Sequence, residues 1–456
     1  MQQCIMNFPS LKELELALFR CLQQTFKEVL ENILKHIDND IAEHRDKKRF
    51  ELKEKREAKM DTSFGPIVFR RNYYLDREKG CYLYLLDRVL EFDGSKGFSP
   101  LVEEWALELA ATGPSYRHAV HQLEQFLGYS VMSHESLRQR LLAARVGSAK
   151  EKRSAPNVLF IEVDGLYIKK QSRNRRKKRR GHELKIAAVH EGWEKNGKRM
   201  TLKNKRYYLH EGNGPFWEGL EAFLMDNYDY DPMQTKLIIN GDGAPWITAC
   251  RDYFRANGCF VLDRYHVARE LRALFRQHPR YDAIRKALKQ YDAQRLLSEL
   301  NSAVGTMASE EQEAALEQLI SFLEAHREAL IDYRQWLQEQ GIDTSGMYPM
   351  GSAESAMSQF AKRLKGGRSW SEKGVYALTR LWIGIKDGLP IQMWNGIWRT
   401  EEEAKEEAKE EAKPPQKALV KTWHSMATET ARHNIRYLLQ PSGTPIHQAL
   451  KGLRGF

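Results

Sequence analysis

The chain has 456 residues, room for roughly two to four domains, and its 42% hydrophobic content excludes wholesale disorder. Its 72 Lys+Arg against 61 Asp+Glu give a net charge of +11, which favours nucleic acid or another acidic partner. The five cysteines are scattered with no C-x-x-C, against both a disulfide scaffold and a structural zinc site, and the sequence has no apolar run of about 18 residues. With no secretory layout at the start, a reducing cytoplasmic setting is expected and no membrane partner.

Residues 1–60 read as N-terminal helices. Leu22, Phe26, Val29, Leu30, Ile33, Ile37 and Ile41 recur at helical spacing, and the charged HRDKKRFELKEKREAKM beyond them reads as a solvated helical extension. The sharper alternative is a helix that packs on a second subunit or lies along DNA. Residues 61–98 form a β-hairpin region, with strands rich in Val, Ile, Tyr and Phe over 67–87 and a turn at DREKG. Arg70 and Arg71 beside Tyr73 and Tyr74 either touch a phosphate backbone or pack a small sheet.

Residues 99–150 have a helix-turn-helix layout. The first helix is expected from about Tyr116 to Leu127, Gly128 suits the turn, and Ser133 is placed to cap a second helix carrying His134, Glu135, Arg138 and Arg140. Such a second helix commonly enters the DNA major groove, which makes His134 and Arg138 candidate DNA contacts.

Residues 151–270 alternate strands and helices. PNVLFIEVDGLYIKK is nearly all apolar, as for a strand buried on both faces; ELKIAAVHEGWE and KRYYLHEG follow as strands, GPFWEGLEAFLMDNY as a helix, TKLIINGDGAPWI as a buried strand ending in a loop, and GCFVLDRYHVARELRALF as a strand running into a helix. This order is the plan of a ribonuclease H-like core. The fold class expected is therefore α/β, a mixed sheet with a helical insertion at 271–340, preceded by the helical, hairpin and helix-turn-helix segments. The core resumes over 341–400, where Ser352 is placed to cap a helix holding Glu354. Residues 401–456 hold an acidic helix-former, EEEAKEEAKEEAK, read as a linker, and a tail without an assigned role.

Three acids stand out by context. Asp164 lies in an otherwise apolar strand, Asp242 sits between glycines after a buried strand, and Glu354 opens a helix. A buried carboxylate is costly unless its charge is compensated, and a metal ion offers that compensation. Magnesium or manganese prefers oxygen ligands, and two such ions about 4 Å apart can serve phosphodiester chemistry. Glu162 shares a strand face with Asp164 and is expected to orient its neighbours.

The run KKQSRNRRKKRR at 169–180 holds nine basic residues in twelve: Lys169, Lys170, Arg173, Arg175, Arg176, Lys177, Lys178, Arg179 and Arg180. As the turn between the first two core strands it is expected to grip DNA phosphates, which relieve the repulsion among its charges. Lys362, Arg363, Lys365 and Arg368 offer further phosphate contacts.

The pieces IEVDG (161–165), NGDGAPWI (240–247), LDRYH (262–266) and GSAES (351–355) resemble the signature of DDE transposases, and most of all the bacterial insertion-sequence family ISLre-two. The resemblance covers the chain from about residue 64 to about residue 395. It implies a transposase that cuts and joins DNA, with Asp164, Asp242 and Glu354 as catalytic acids holding two Mg2+ or Mn2+ ions. It further implies that Asp263-Arg-Tyr-His266 matches a motif placing His266 near the scissile bond; a helix-capping Asp263 and a hydrogen-bonded core histidine are the plainer alternatives. Double-stranded DNA, as element ends and target, is the partner implied, with a homo-oligomer assembled on it beside the bacterial nucleoid. The alternatives are a DNA-binding regulator without catalysis and a ribonuclease H-like nuclease.

Overall fold

A computed structural model describes residues 10–94, 97–147, 155–171 and 181–389 and the backbone of 391–393; the side chains of 352–356 and 391–393 lie outside it. The chain divides into two compact units. One comprises residues up to Gly147 with the strand Ile391–Met393, and the other Ser148–Leu389.

The first unit opens with α1 (Leu11–His44), whose Ser10 side chain accepts from the Glu13 N–H as an N-cap. It continues with β1 (Phe50–Thr62), β2 (Gly65–Asp76), β3 (Cys81–Leu83) and the short α2 (Leu85–Val89). The strands form one antiparallel sheet in the order β1-β2-β3. Leu34 of α1 packs with Ala58, Met60, Ile67, Phe69, Leu86 and Phe92, and Leu30, Ile37 and Ile41 join them.

This arrangement corrects the reading of 1–60 as helices. The helix ends at His44, and the charged stretch beyond it is a strand. Its Lys, Glu and Arg residues favour helix intrinsically, but Ala58, Met60 and Thr62 turn inward at two-residue spacing and pair along β2, so tertiary packing overrides local propensity. Arg71 and Tyr74 are buried, and Arg71 pairs with Asp87 and lies over the Tyr84 ring, so the packing alternative holds for these two.

Three helices follow: α3 (Pro100–Thr112), α4 (Tyr116–Leu127) and α5 (His134–Ala143). Gly128 ends α4 in the left-handed region at φ 76°, where a glycine is least strained, and Ser133 caps α5 through the Ser136 N–H at 3.1 Å. The three pack on one another through Leu107, Leu123, Leu137 and Leu141, all fully buried. The strand β4 (Ala144–Val146) pairs with Ile391–Met393.

The second unit is a mixed sheet with helices around it. Its strands are β5 (Val158–Lys170), β6 (Gly181–His190), β7 (Trp193–Asn196), β8 (Arg199–Leu202), β9 (Arg206–Leu209), β10 (Lys236–Gly241), β11 (Gly258–Leu262) and β12 (Ser369–Trp370). The main sheet runs β11-β10-β5-β6-β9, with β5, β10 and β11 parallel to one another and β6 antiparallel to both of its neighbours, β5 and β9; β12 pairs with the end of β5, and β7 and β8 form a separate hairpin. The expected single strand ELKIAAVHEGWE thus divides at Gly192, which sits at φ 112°.

Its principal helices are α6 (Phe216–Tyr228), α7 (Arg264–Phe275), α8 (Tyr281–Lys289), α9 (Ala293–Asn301), α10 (Glu310–Ala325), α11 (Tyr333–Glu339), α12 (Ser352–Leu364) and α13 (Glu372–Lys386). Leu159, Ile161 and Val163 of β5 face one core with Leu237, Ile239 and residues of α6, α7 and α10. Val158 and Phe160 face a second core with Ile238, Cys259, Val261 and Tyr333. Burial on both faces explains the unbroken apolar run of β5.

Candidate active site

The register of the parallel strands brings acids from distant parts of the chain into one row. Lys236 of β10 pairs with Val158 of β5, and Asn240 with Glu162. Continued past Gly241, the same register sets Asp242 against Asp164. Leu237 pairs with Gly258 and Gly241 with Leu262, so the next position sets Asp263 against Asp242. Asp164, Asp242 and Asp263 therefore continue one row across three adjacent strands, whose backbones lie about 5 Å apart. By the two-residue alternation, Asp164 shares a face with Glu162 and Phe160.

Electrostatics agrees with this placement. Asp164 is buried, and its carboxyl is held well above the usual carboxylate range, first by desolvation and then by the charges of Asp242 and Asp263; His266 and the Gly165 N–H, at 2.7 Å, oppose the shift. Asp242 accepts from the Ala244 N–H at 2.9 Å, which folds the GDGA loop back on itself. Gly243 makes that loop possible. It sits at φ 85°, and a Cβ there would come 2.8 Å from Phe322 of α10. The helical segment between the second and third expected acids thus packs directly over the Asp242 loop.

Asp263 caps α7, accepting from the Tyr265 N–H at 2.9 Å, and its other oxygen lies 2.9 Å from His266 Nδ1. Both residues are buried. The capping reading of Asp263 and the hydrogen-bonded reading of His266 both hold, and the same bond keeps the imidazole beside Asp164. The next turn adds Glu270, whose buried carboxyl is pushed up to about 7 by desolvation. Sequence reasoning overlooked Glu270, although residues 263, 266 and 270 follow the spacing of one helix face.

Glu354 lies in the first turn of α12, and its side chain is outside the described residues. The start of that helix is tied to the row: the Gly351 N–H donates to Glu162 Oε2 at 3.0 Å. Gly351, not Ser352, is the cap residue, and Ser352 is the first helical position. The fully buried His190 lies 3.5 Å from the other Glu162 oxygen, so Glu162 holds the helix entrance from inside the sheet.

Among the described residues, no three His, Cys, Asp or Glu side chains form a metal-binding group. Asp164 and Asp242 nevertheless suit a hard cation by donor type, because two neighbouring carboxylates raise one another's proton affinity, and a divalent ion removes that penalty.

The basic residues divide. Lys169, opposite Gly181, and Lys170 are the last residues of β5 and not part of the turn, so 171–180 connects β5 and β6. Lys170 pairs with Glu372 at 2.5 Å. Arg173, Arg175, Arg176, Lys177, Lys178, Arg179 and Arg180 lie outside the described residues. His134 is exposed in the first turn of α5, and Arg138 makes a two-pronged contact with Glu135 at 2.7 and 2.9 Å. Arg140 pairs with Glu103 and lies over the Phe98 ring. Arg363 is buried over Trp370, and Arg368 donates to the last carbonyls of α12, from Lys362 and Arg363, and to that of Lys365. Burial corrects the reading of Arg363 as a phosphate contact, and Arg368 closes the end of α12 through Nη1.

No helix among the described residues is long and apolar enough to cross a membrane. Among solved structures, the chain is similar to the Drosophila P element transposase strand transfer complex at 9% identity and a TM-score of 0.24, covering 78% of this chain and 90% of that one. A UPF0236 protein in the vanSb 3′ region of Streptococcus gallolyticus is 28% identical over 395 residues, 83% of this chain and 84% of its own length. Two UPF0236 proteins of Caldanaerobacter subterraneus subsp. tengcongensis are 25% and 24% identical, covering 93% and 94% of this chain and 88% of theirs; the name of the second joins eleven locus designations. With the family profile matching residues 4–402, the chain belongs to the uncharacterised protein family UPF0236.

Proposed function

We propose that this protein is a DDE transposase of the ISLre-two kind, with a ribonuclease H-like core, that cuts DNA at the ends of an insertion sequence and joins the freed 3′-hydroxyl to target DNA. The observation that carries the proposal is the row of Asp164, Asp242 and Asp263 at one end of the parallel strands, with the Glu354 helix entrance bonded to Glu162 of the same strand. The relative whose name joins eleven loci adds support, since a repeated gene is what a mobile element leaves behind.

Asp164, Asp242 and Glu354 are the residues that would hold Mg2+ or Mn2+. When bound, two such ions supply Lewis acidity to a phosphodiester and its attacking oxygen. Asp263 fixes the ring orientation of His266 through their hydrogen bond, and Glu162 sets the entry of α12. Water is the first nucleophile and the 3′-hydroxyl the second. Double-stranded DNA is the substrate, reached by the basic run 169–180 and by α5, in the bacterial cytoplasm.

The test is incubation of the full chain with Mg2+ or Mn2+ and DNA carrying the element's ends, followed by product mapping. Nicked ends and strand-transfer products are expected. Binding without nicking would identify a regulator, and nicking without joined products a nuclease.

A further inference from the structure

The helix α1 carries two adjoining apolar stripes, and the described residues of its own unit cover only one. Leu30, Leu34, Ile37 and Ile41 lie against the β1-β2 sheet. A second stripe, Leu11, Leu18, Phe19, Leu22, Val29 and Ile33, is 44–71% exposed. At 100° per residue these six fall within an arc of about 100°, the width of a core-facing helix stripe. Beside them Phe26 stacks on Phe64, with ring centroids 5.4 Å apart, and extends the patch.

The stripe with Phe26 exposes roughly 700 Å2 of apolar surface, more than the largest patch of a typical monomer and close to the ~800 Å2 each partner contributes to a standard interface. We infer that this face of α1 is the contact with a second copy of the same chain, the two helices running antiparallel about a two-fold axis near Leu22. Glu15 decides the direction, because it is the one charged residue inside the arc between Leu11 and Ile33. Parallel pairing in register sets Glu15 against its own copy, a desolvated like-charge contact. Antiparallel pairing sets it beside Val29 and separates the two carboxylates by about 20 Å along the axis, at 1.5 Å per residue. It also sets Leu11 beside Ile33, so the self-complementary patch closes on itself as an isologous interface requires. The inference stands on the helix face alone and is independent of the proposed chemistry.

The experiment is light scattering with size-exclusion chromatography on the full chain at micromolar concentration, without DNA. The wild type is expected at twice the monomer mass. The variant Leu18→Glu, Leu22→Glu, Val29→Glu is expected at half that mass with an unchanged far-ultraviolet circular dichroism spectrum, since these side chains are exposed in the monomer. A dimer that survives the triple substitution would overturn the inference by placing the interface elsewhere. So would a monomeric wild type; a lower melting temperature in its variant would then show that the chain's own remaining segments cover the stripe. Orientation is read separately. With Cys4, Cys21 and Cys81 replaced by Ser, a mixture of Leu11→Cys and Ile33→Cys chains should cross-link on mild oxidation far more than either chain alone, and self-cross-linking of Leu11→Cys would overturn the antiparallel arrangement.

Discussion

Asp164 stands where burial and two neighbouring carboxylates act in the same direction, all opposing a negative charge. Under the proposed function, a bound metal ion supplies the counter-charge that such a carboxylate needs. Asp164→Asn keeps the shape and removes the charge. It should lower DNA cleavage by on the order of a thousandfold, the several kcal/mol a lost metal ligand represents. DNA affinity in a mobility-shift assay should stay within a few-fold, and wild-type cleavage would refute the assignment.

Asp387 allows a different measurement at the same scale. Its carboxyl is pushed up to about 7 by burial, Oδ2 accepts from the Tyr207 N–H at 3.1 Å, and Oδ1 is buried without a hydrogen-bond donor. Between its ordinary value of 3.8 and about 7 the folded chain keeps this proton while the unfolded chain releases it. Stability therefore falls as pH rises through that window. Asp387→Asn should flatten the fall and stabilise the protein at pH 8 by roughly 2 kcal/mol, allowing for partial solvent screening. Urea unfolding at pH 5 and pH 8 reads the difference, and an unchanged pH slope would count against a protonated Asp387.

Among the elements, the loop after β10 concentrates the constraints. Gly243 needs both its φ of 85° and the space that Phe322 of α10 closes at 2.8 Å from a Cβ. Gly305 has a similar φ of 81° with nothing within 4 Å of a Cβ, so the pair separates backbone strain from steric conflict. Gly305→Ala should cost about 1 kcal/mol, and Gly243→Ala about 2–3 kcal/mol, seen as a larger drop in melting temperature. Cleavage should fall only in the Gly243 variant, because only that loop carries Asp242. Equal melting temperatures would show that α10 gives way without cost.

At the scale of the whole molecule, the net charge of +11 is unevenly spread, with nine basic residues in the twelve from 169 to 180. Neutralising Arg175, Arg176, Lys177 and Lys178 should weaken binding to all DNA sequences alike and flatten log affinity against log salt by roughly 0.9 per lost phosphate contact. Changing His134 or Arg138 should instead reduce discrimination between element ends and random DNA. The Arg138–Glu135 contact does not preclude this, since a solvent-exposed ion pair is screened and readily exchanged for another anion. An unchanged salt slope in the loop variant would mean a solvated turn only.

What the sequence by itself determined was local and periodic. The apolar run of β5 announced a strand buried on both faces, Gly128 and Ser133 announced the break and restart of α4 and α5, and Asp164 and Asp242 were conspicuous against apolar surroundings. These signals survive because hydrophobic burial, a positive φ and an N-cap each depend on a few adjacent residues. Where neighbours far along the chain decide, the sequence misled: β1 has a helix former's composition and becomes a strand because β2 pairs with it, and Arg363 looks like a phosphate ligand yet is buried over Trp370. The row of Asp164, Asp242 and Asp263 follows from the register of β5, β10 and β11, and the bond from Gly351 to Glu162 joins the far end of the same unit to its first strand. Register is a property of pairs of strands, set when their faces pack together, and so only the tertiary structure decided which acids stand side by side.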